Sequence, residues 1–278
     1  MKGIFDSIDI KQYLVVSVMS LVTALFAYLL LFFAGNYASL YFAYDFDIGA
    51  WFSLGGISFD IERPHHLWTY DAEVTIFLSK PLLSLVIGII SLIALILIKR
   101  VRLIFFFLLF WLNIFAFNAA FGLFVDDFIS RTGLIFVAER MELGLPEIIF
   151  SLSISVFIMY RIGMVNSLIF GQLLPKKCKT NIKIKALIVL ITIIMPWLMT
   201  GIIIIILSYP DHLLTEHLKT LSTAIIFIPF FFCKGKEPTE KATSLMKFEK
   251  YDWLIAFVIL VLAFFLYSEM LNPIVIVG

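Results

Sequence analysis

Charge is the first thing this sequence has little of. Only 15% of its 278 residues are Asp, Glu, Lys or Arg, and the mean hydropathy is +1.05. A chain with so few charges to cover its apolar side chains does not belong to the soluble globular class. Strict alternation of polar and apolar residues is missing as well. Stretches such as LVIGIISLIALILI exclude a membrane β-barrel and leave helices as the structures that cross a bilayer with every backbone group satisfied. Cysteine is limited to Cys178 and Cys233, both expected on the cytoplasmic side, so no disulfide framework is expected. No Gly/Ser linker, low-complexity tract or repeat divides the chain, which reads as one membrane domain over residues 1–278.

Catalytic signatures are also lacking. There is no HExxH zinc motif, no GxSG elbow and no GxxxxGK[ST] phosphate loop. The last apolar run holds no lysine for a retinal Schiff base, and no run carries the row of Asp, Glu or His that proton-driven pumps use.

What is there is a series of apolar runs matching the ~30 Å of hydrocarbon that a helix crosses at ~1.5 Å per residue. Seven spans are expected, at 14–34, 81–98, 103–125, 146–169, 186–208, 215–232 and 253–271. The first is too long for the core of a signal peptide and is read as retained. Orientation follows from the basic residues, because loops rich in Lys and Arg stay cytoplasmic. With the N-terminus inside, fifteen of the 21 basic residues fall on the cytoplasmic side, most of them in the loops 170–185 and 233–250. The histidines and most of the acids fall outside, which gives N-inside and C-outside. The basic loops fix topology and meet anionic lipid head groups; nothing in them points to nucleic acid.

The first outer loop, residues 35–80, is expected to be structured. Ile57, Phe59 and Ile61 alternate with Ser58, Asp60 and Glu62 after Gly55-Gly56, the pattern of a β-hairpin with one apolar face. IERPHHLWTYDAE then returns the chain to the membrane, with Trp68 and Tyr70 expected as interfacial anchors. In the second outer connection, 126–145, Leu134, Val137, Ala138, Met141 and Leu145 recur at helical spacing and predict a short amphipathic surface helix.

Several residues carry candidate chemistry. His212 and Glu216 lie four apart on one expected helix face, a spacing at which imidazole and carboxylate chelate a divalent metal such as Zn. With His65 and His66 folded over them they would form a metal site; solvated, unligated histidines are the alternative. Asp126 and Asp127 are a possible cation or proton site, or simply mark the water boundary. Arg161 lies within a span, about nine residues or roughly 13 Å from its expected inner end. An intramembrane arginine is a functional marker by default, and its long side chain can also snorkel toward cytoplasmic phosphates.

The reading is an all-α polytopic protein of a bacterial cytoplasmic membrane. Its expected role is that of a non-enzymatic accessory subunit in export, envelope biogenesis or a related process, without a cofactor. Its partners are membrane lipids and other integral-membrane or extracytoplasmic proteins. A metal-dependent enzyme or metal-handling protein at the outer surface is the first alternative, and a transporter of a small solute or lipid is the second.

Overall fold

The computed structural model describes residues 10–61, 65–97, 102–130, 133–174, 182–208, 219–232 and 250–276. Six of its helices are long and apolar enough to cross a membrane, and a shorter apolar helix covers Leu221–Phe232. With one small sheet added, this fits an all-α multi-pass membrane fold.

The first helix, α1 (Ile10–Asp45), is much longer than the expected span. Its continuation runs through Asn36 and Ser39, both buried, because the next helix supplies partners for them. Ser39 Oγ lies 2.9 Å from Ser79 Oγ, and Lys80 Nζ donates to Asn36 Oδ1 at 3.2 Å. Lys80 also stands over the Phe32 ring at 5.3 Å. Gly35 makes room for it, since a Cβ there would meet Lys80 Cγ at 2.7 Å. That helix, α2 (Tyr70–Leu97), starts eleven residues before the expected span and carries Pro81 inside it. Asp71 and Glu73 occupy its first turn, where negative charge meets the positive end of the helix dipole.

The expected hairpin forms from β1 (Ala50–Ser53) and β2 (Gly56–Phe59), paired antiparallel from Ala50↔Phe59 to Ser53↔Gly56. Its two-residue loop is Leu54-Gly55, and the residue that needs a positive φ is Gly56, at 96°. A third strand, β3 (Ile274–Ile276), pairs with the other edge of β1, giving the order β2-β1-β3. The residues after the last helix therefore lie beside those after the first.

The third span is α3 (Leu103–Phe117), a π-turn at Asn118–Gly122, and α4 (Leu123–Ser130). A short helix, α5 (Leu134–Arg140), follows at the place expected for the surface helix, with Leu134, Ile135, Val137 and Ala138 buried and Met141 exposed. Then come α6 (Leu145–Leu173), α7 (Ile182–Val189), a second π-turn at Leu190–Ile194, and α8 (Met195–Leu207). A 3-10 turn, Lys219–Thr223, leads into α9 (Ala224–Phe232), which packs on α6, and α10 (Lys250–Glu269) packs along α1.

The core is aromatic, centred on Phe107, Phe110, Trp111 and Phe230, all essentially inaccessible. One buried joint explains how α1, α3 and the α7–α8 span hold together. Pro196 has no N–H, so the carbonyls five and four residues before it, Ile191 and Thr192, lose the donor that an ordinary residue would give them. Ser17 and Ser20 of α1 donate to those two carbonyls, each at 2.7 Å. Ser20 in turn accepts the Trp111 indole N–H at 2.9 Å. At the end of α10 away from the sheet, buried Asp252 lies 4.0 Å from Arg102.

Candidate functional site

The helix α6 stands out because its two sides are built for different neighbours. It begins after Gly144 with Pro146 in its first turn, where a missing N–H costs nothing, and with Glu147 at the positive end of the dipole. It ends at Leu174, held extended at ψ 136° as the residue before a proline tends to be.

Its inner side carries small and polar residues. A Cβ on Gly163 would lie 2.9 Å from the Ile226 carbonyl carbon and 3.1 Å from the Ile226 Cα, so glycine is what lets α6 touch the backbone of α9. Asn166, fully buried, donates to Asn113 Oδ1 at 2.7 Å. Asn113 donates onward to Gly88 O at 2.9 Å and to Ser91 Oγ at 3.3 Å. These amides join α2, α3 and α6, the packing role expected for polar groups between membrane helices.

The opposite side is exposed. Phe150 is 67% accessible and Phe157 62%, with Ile154 also exposed between them. Arg161 completes the same stripe and is exposed. Among the described residues it has no hydrogen bond and no ion pair. Its position makes that unusual. The helix continues past the expected inner end to Leu173 because nothing breaks it before Pro175, so Arg161 stands twelve residues, about 18 Å, from that end. The nearest exposed charged or amide side chains along α6 are Glu147, about 21 Å away toward the N-terminus, and Gln172, about 16 Å away toward the C-terminus.

The other sequence candidates are distributed differently. His65 and His66 are exposed, with ring centroids 4.1 Å apart, and His65 Nδ1 accepts the Leu67 N–H at 3.3 Å. His212 and Glu216 lie outside the described residues, as do the basic stretches 175–181 and 233–249. Among the described residues no three of His, Cys, Asp or Glu come together as metal ligands would.

Asp126 and Asp127 point to separate partners. Asp126 accepts the Ser222 hydroxyl at 2.7 Å, beside Asn118 of the π-turn. Asp127 is buried and accepts the Leu134 N–H at 2.9 Å, satisfying one of the free donors at the start of α5. Trp68, expected at the lipid interface, is instead 3% exposed. It packs edge-on to Phe59 at 4.9 Å and donates its indole N–H to Ile61 O at 3.0 Å, because the hairpin's apolar face needs a cover. Comparison with known protein families, curated proteins and solved structures gives no match.

Two features escaped the sequence reading. Arg140 clamps buried Glu73 through Nε at 2.8 Å and Nη2 at 3.2 Å, and reaches Trp68 O at 3.3 Å. The hydrogen bond to Glu73, and then its charge, raise the pKa of Arg140. No local motif announces a pair 67 residues apart. A cavity of about 430 Å³ between α1, α8 and α10 is lined by residues including Leu25, Leu29, Phe264 and Tyr267. The Tyr267 hydroxyl is committed to Leu207 O at 3.3 Å, so the cavity offers shape without the convergent polar groups that orient a solute.

Proposed function

We propose that this protein is a non-enzymatic integral-membrane subunit of a larger assembly in a bacterial cytoplasmic membrane. It acts in export, envelope biogenesis or a related process and needs no cofactor. The observation that carries the proposal is Arg161: a cation exposed near the middle of a long apolar helix, with no partner among the described residues. Charged groups within membrane spans normally face the bundle and are paired. A bare one on the outside of a bundle marks a surface completed by another molecule.

The proposed topology has seven crossings, N-inside and C-outside. Support comes from the strand pairing as well as the basic residues. The pairing of β3 with β1 favours α10 finishing at the membrane face where α1 finishes. Five long helices carry the chain from α1 through α8, and in this reading the segment containing α9 returns it to the other face before α10. The hairpin and α5 then lie outside, where they offer docking area to extracytoplasmic proteins, and lipids cover the remaining faces. Nucleic acid has no part in this reading.

Purification of the tagged full chain from its native membranes in mild detergent tests the proposal. A discrete species well above the 31.8 kDa of the chain, with a reproducible second protein, is expected. A monodisperse monomer with no co-purifying protein overturns it.

A further inference from the structure

The subunit reading leaves open what meets the exposed face of α6, and the inference here rests on that reading. We propose that the stripe Phe150, Ile154, Phe157 and Arg161 receives one transmembrane helix of a different protein, and that this helix presents an aspartate or glutamate to Arg161 at mid-membrane depth.

Spacing argues for a helix as the occupant. The four residues are separated by four, three and four positions, the repeat of a coiled-coil seam, and fall within an arc of about 60° on α6. Large side chains at that repeat form ridges into which a second helix packs at a shallow crossing angle. Phe150 and Phe157 supply the knobs, and Arg161 sits one turn beyond Phe157.

The guanidinium decides the chemistry of the occupant. It has five N–H donors and a positive charge. A leucine-lined helix would bury both without compensation, and a serine or amide would satisfy donors but leave the charge. A carboxylate does both, in the bidentate geometry that arginine favours.

Lipid phosphate is the rival source of negative charge, and depth argues against it. Glu147 and Gln172 bracket about 37 Å of helix against a hydrocarbon layer of ~30 Å. Even with all the excess placed on the Gln172 side, the Arg161 Cα lies about 9 Å inside the hydrocarbon. Its Cα–Cβ bond tilts toward the helix N-terminus, the farther boundary, so snorkelling toward the nearer one works against the backbone.

A second copy of this chain also fits poorly. A two-fold contact across the stripe would set Arg161 against Arg161. Among the described residues every Asp and Glu lies near a helix end or in a loop, and none sits at mid-span. The acid is therefore assigned to another protein.

The test places a benzophenone amino acid at Phe157 in the tagged full chain in its native membranes, with the same residue at Phe257 of α10, which is 63% exposed, as a control. After irradiation the adduct is identified by peptide mass spectrometry. The expected adduct from position 157 is a transmembrane segment of another protein with Asp or Glu within about one helical turn of the linked residue. Its yield should fall about tenfold in Arg161→Gln and be largely kept in Arg161→Lys, with both variants melting as the parent does. Adducts only to lipid, to a second copy, or to a segment without a carboxylate overturn the proposal, as does an undiminished yield in Arg161→Gln. Should a larger assembly persist in mild detergent while position 157 gives any of those results, this inference fails and the subunit reading stands. A monomer giving lipid adducts alone sinks both.

Discussion

Ser20→Ala removes one oxygen atom, yet it should be among the more damaging substitutions in the molecule. Ser20 is fully buried, and its hydroxyl both accepts from Trp111 and donates to Thr192 O. Alanine leaves almost no cavity, so the cost comes from the two groups orphaned. A buried polar group left unsatisfied costs about 1–3 kcal/mol, while interhelical hydrogen bonds in membranes are worth about 0.6–1.7 kcal/mol. At the membrane figure, two groups give a loss of about 1–3 kcal/mol. Ser17→Ala breaks only one bond, at a part-buried site, and should cost about 1 kcal/mol or less. Pro196 creates the demand that both serines meet. Replacing it by alanine returns one N–H to the Ile191 and Thr192 carbonyls, so the penalty of the double Ser17→Ala, Ser20→Ala variant should shrink by about one hydrogen bond in the Pro196→Ala background. Reversible unfolding in mixed micelles, titrated with denaturing detergent, reads all of these free energies. Equal penalties for the two single variants, or a double penalty untouched by Pro196→Ala, would refute the reasoning.

Other outcomes follow from the same structure. Gly163→Leu should force α6 off the α9 backbone and cost about 1–3 kcal/mol by overpacking; an unchanged unfolding midpoint would mean that the helices do not touch there. Arg140→Gln should lower the melting temperature more than Glu73→Gln, since the first strands a buried carboxylate while the second leaves an amide oxygen to accept from the guanidinium; the reverse order counts against the clamp. Because the pKa of Arg140 is raised, the stability linked to its charge is fully present below its ordinary value and is lost only as pH climbs past the raised one. A melting series over about pH 6–10 should therefore contain no step that Arg140→Gln removes. Protein purified without chelator should hold no stoichiometric zinc by elemental analysis; a metal signal lost in His65→Ala and His212→Ala would restore the metal-site alternative.

The apolar runs and the hairpin were legible in the sequence because their signals are local. Ile57, Phe59 and Ile61 alternate with polar residues, and Gly55-Gly56 precedes them, so a window of a few residues suffices. The helix ends of α1 and α2 were not. Asn36, Ser39, Ser79 and Lys80 read as a polar loop when taken singly, but they are paired with one another inside the bundle, and only the three-dimensional arrangement reveals this. Trp68 suffered the same fate: its amphipathic ring suits an interface, while the nearby apolar face of β2 gives it a better place. Pro196 with Ser17 and Ser20 was half legible. A proline inside a span announces orphaned carbonyls, but which donors answer depends on which helix packs beside it. Arg161 was visible from the outset, and what the structure adds is that the bundle turns it outward and the helix runs on beyond it.

The sheet imposes an order on biogenesis. β1 is the middle strand, and β3 is translated about 220 residues after it. At a synthesis rate of about 5–20 residues per second, one edge of β1 is left waiting for roughly 10–40 s while the intervening helices enter the membrane. An open strand edge is a template for pairing with any passing chain. During that interval the nascent protein is at its most vulnerable to wrong partners, and the arrival of Ile274–Ile276 both closes the edge and clasps the first helix to the last.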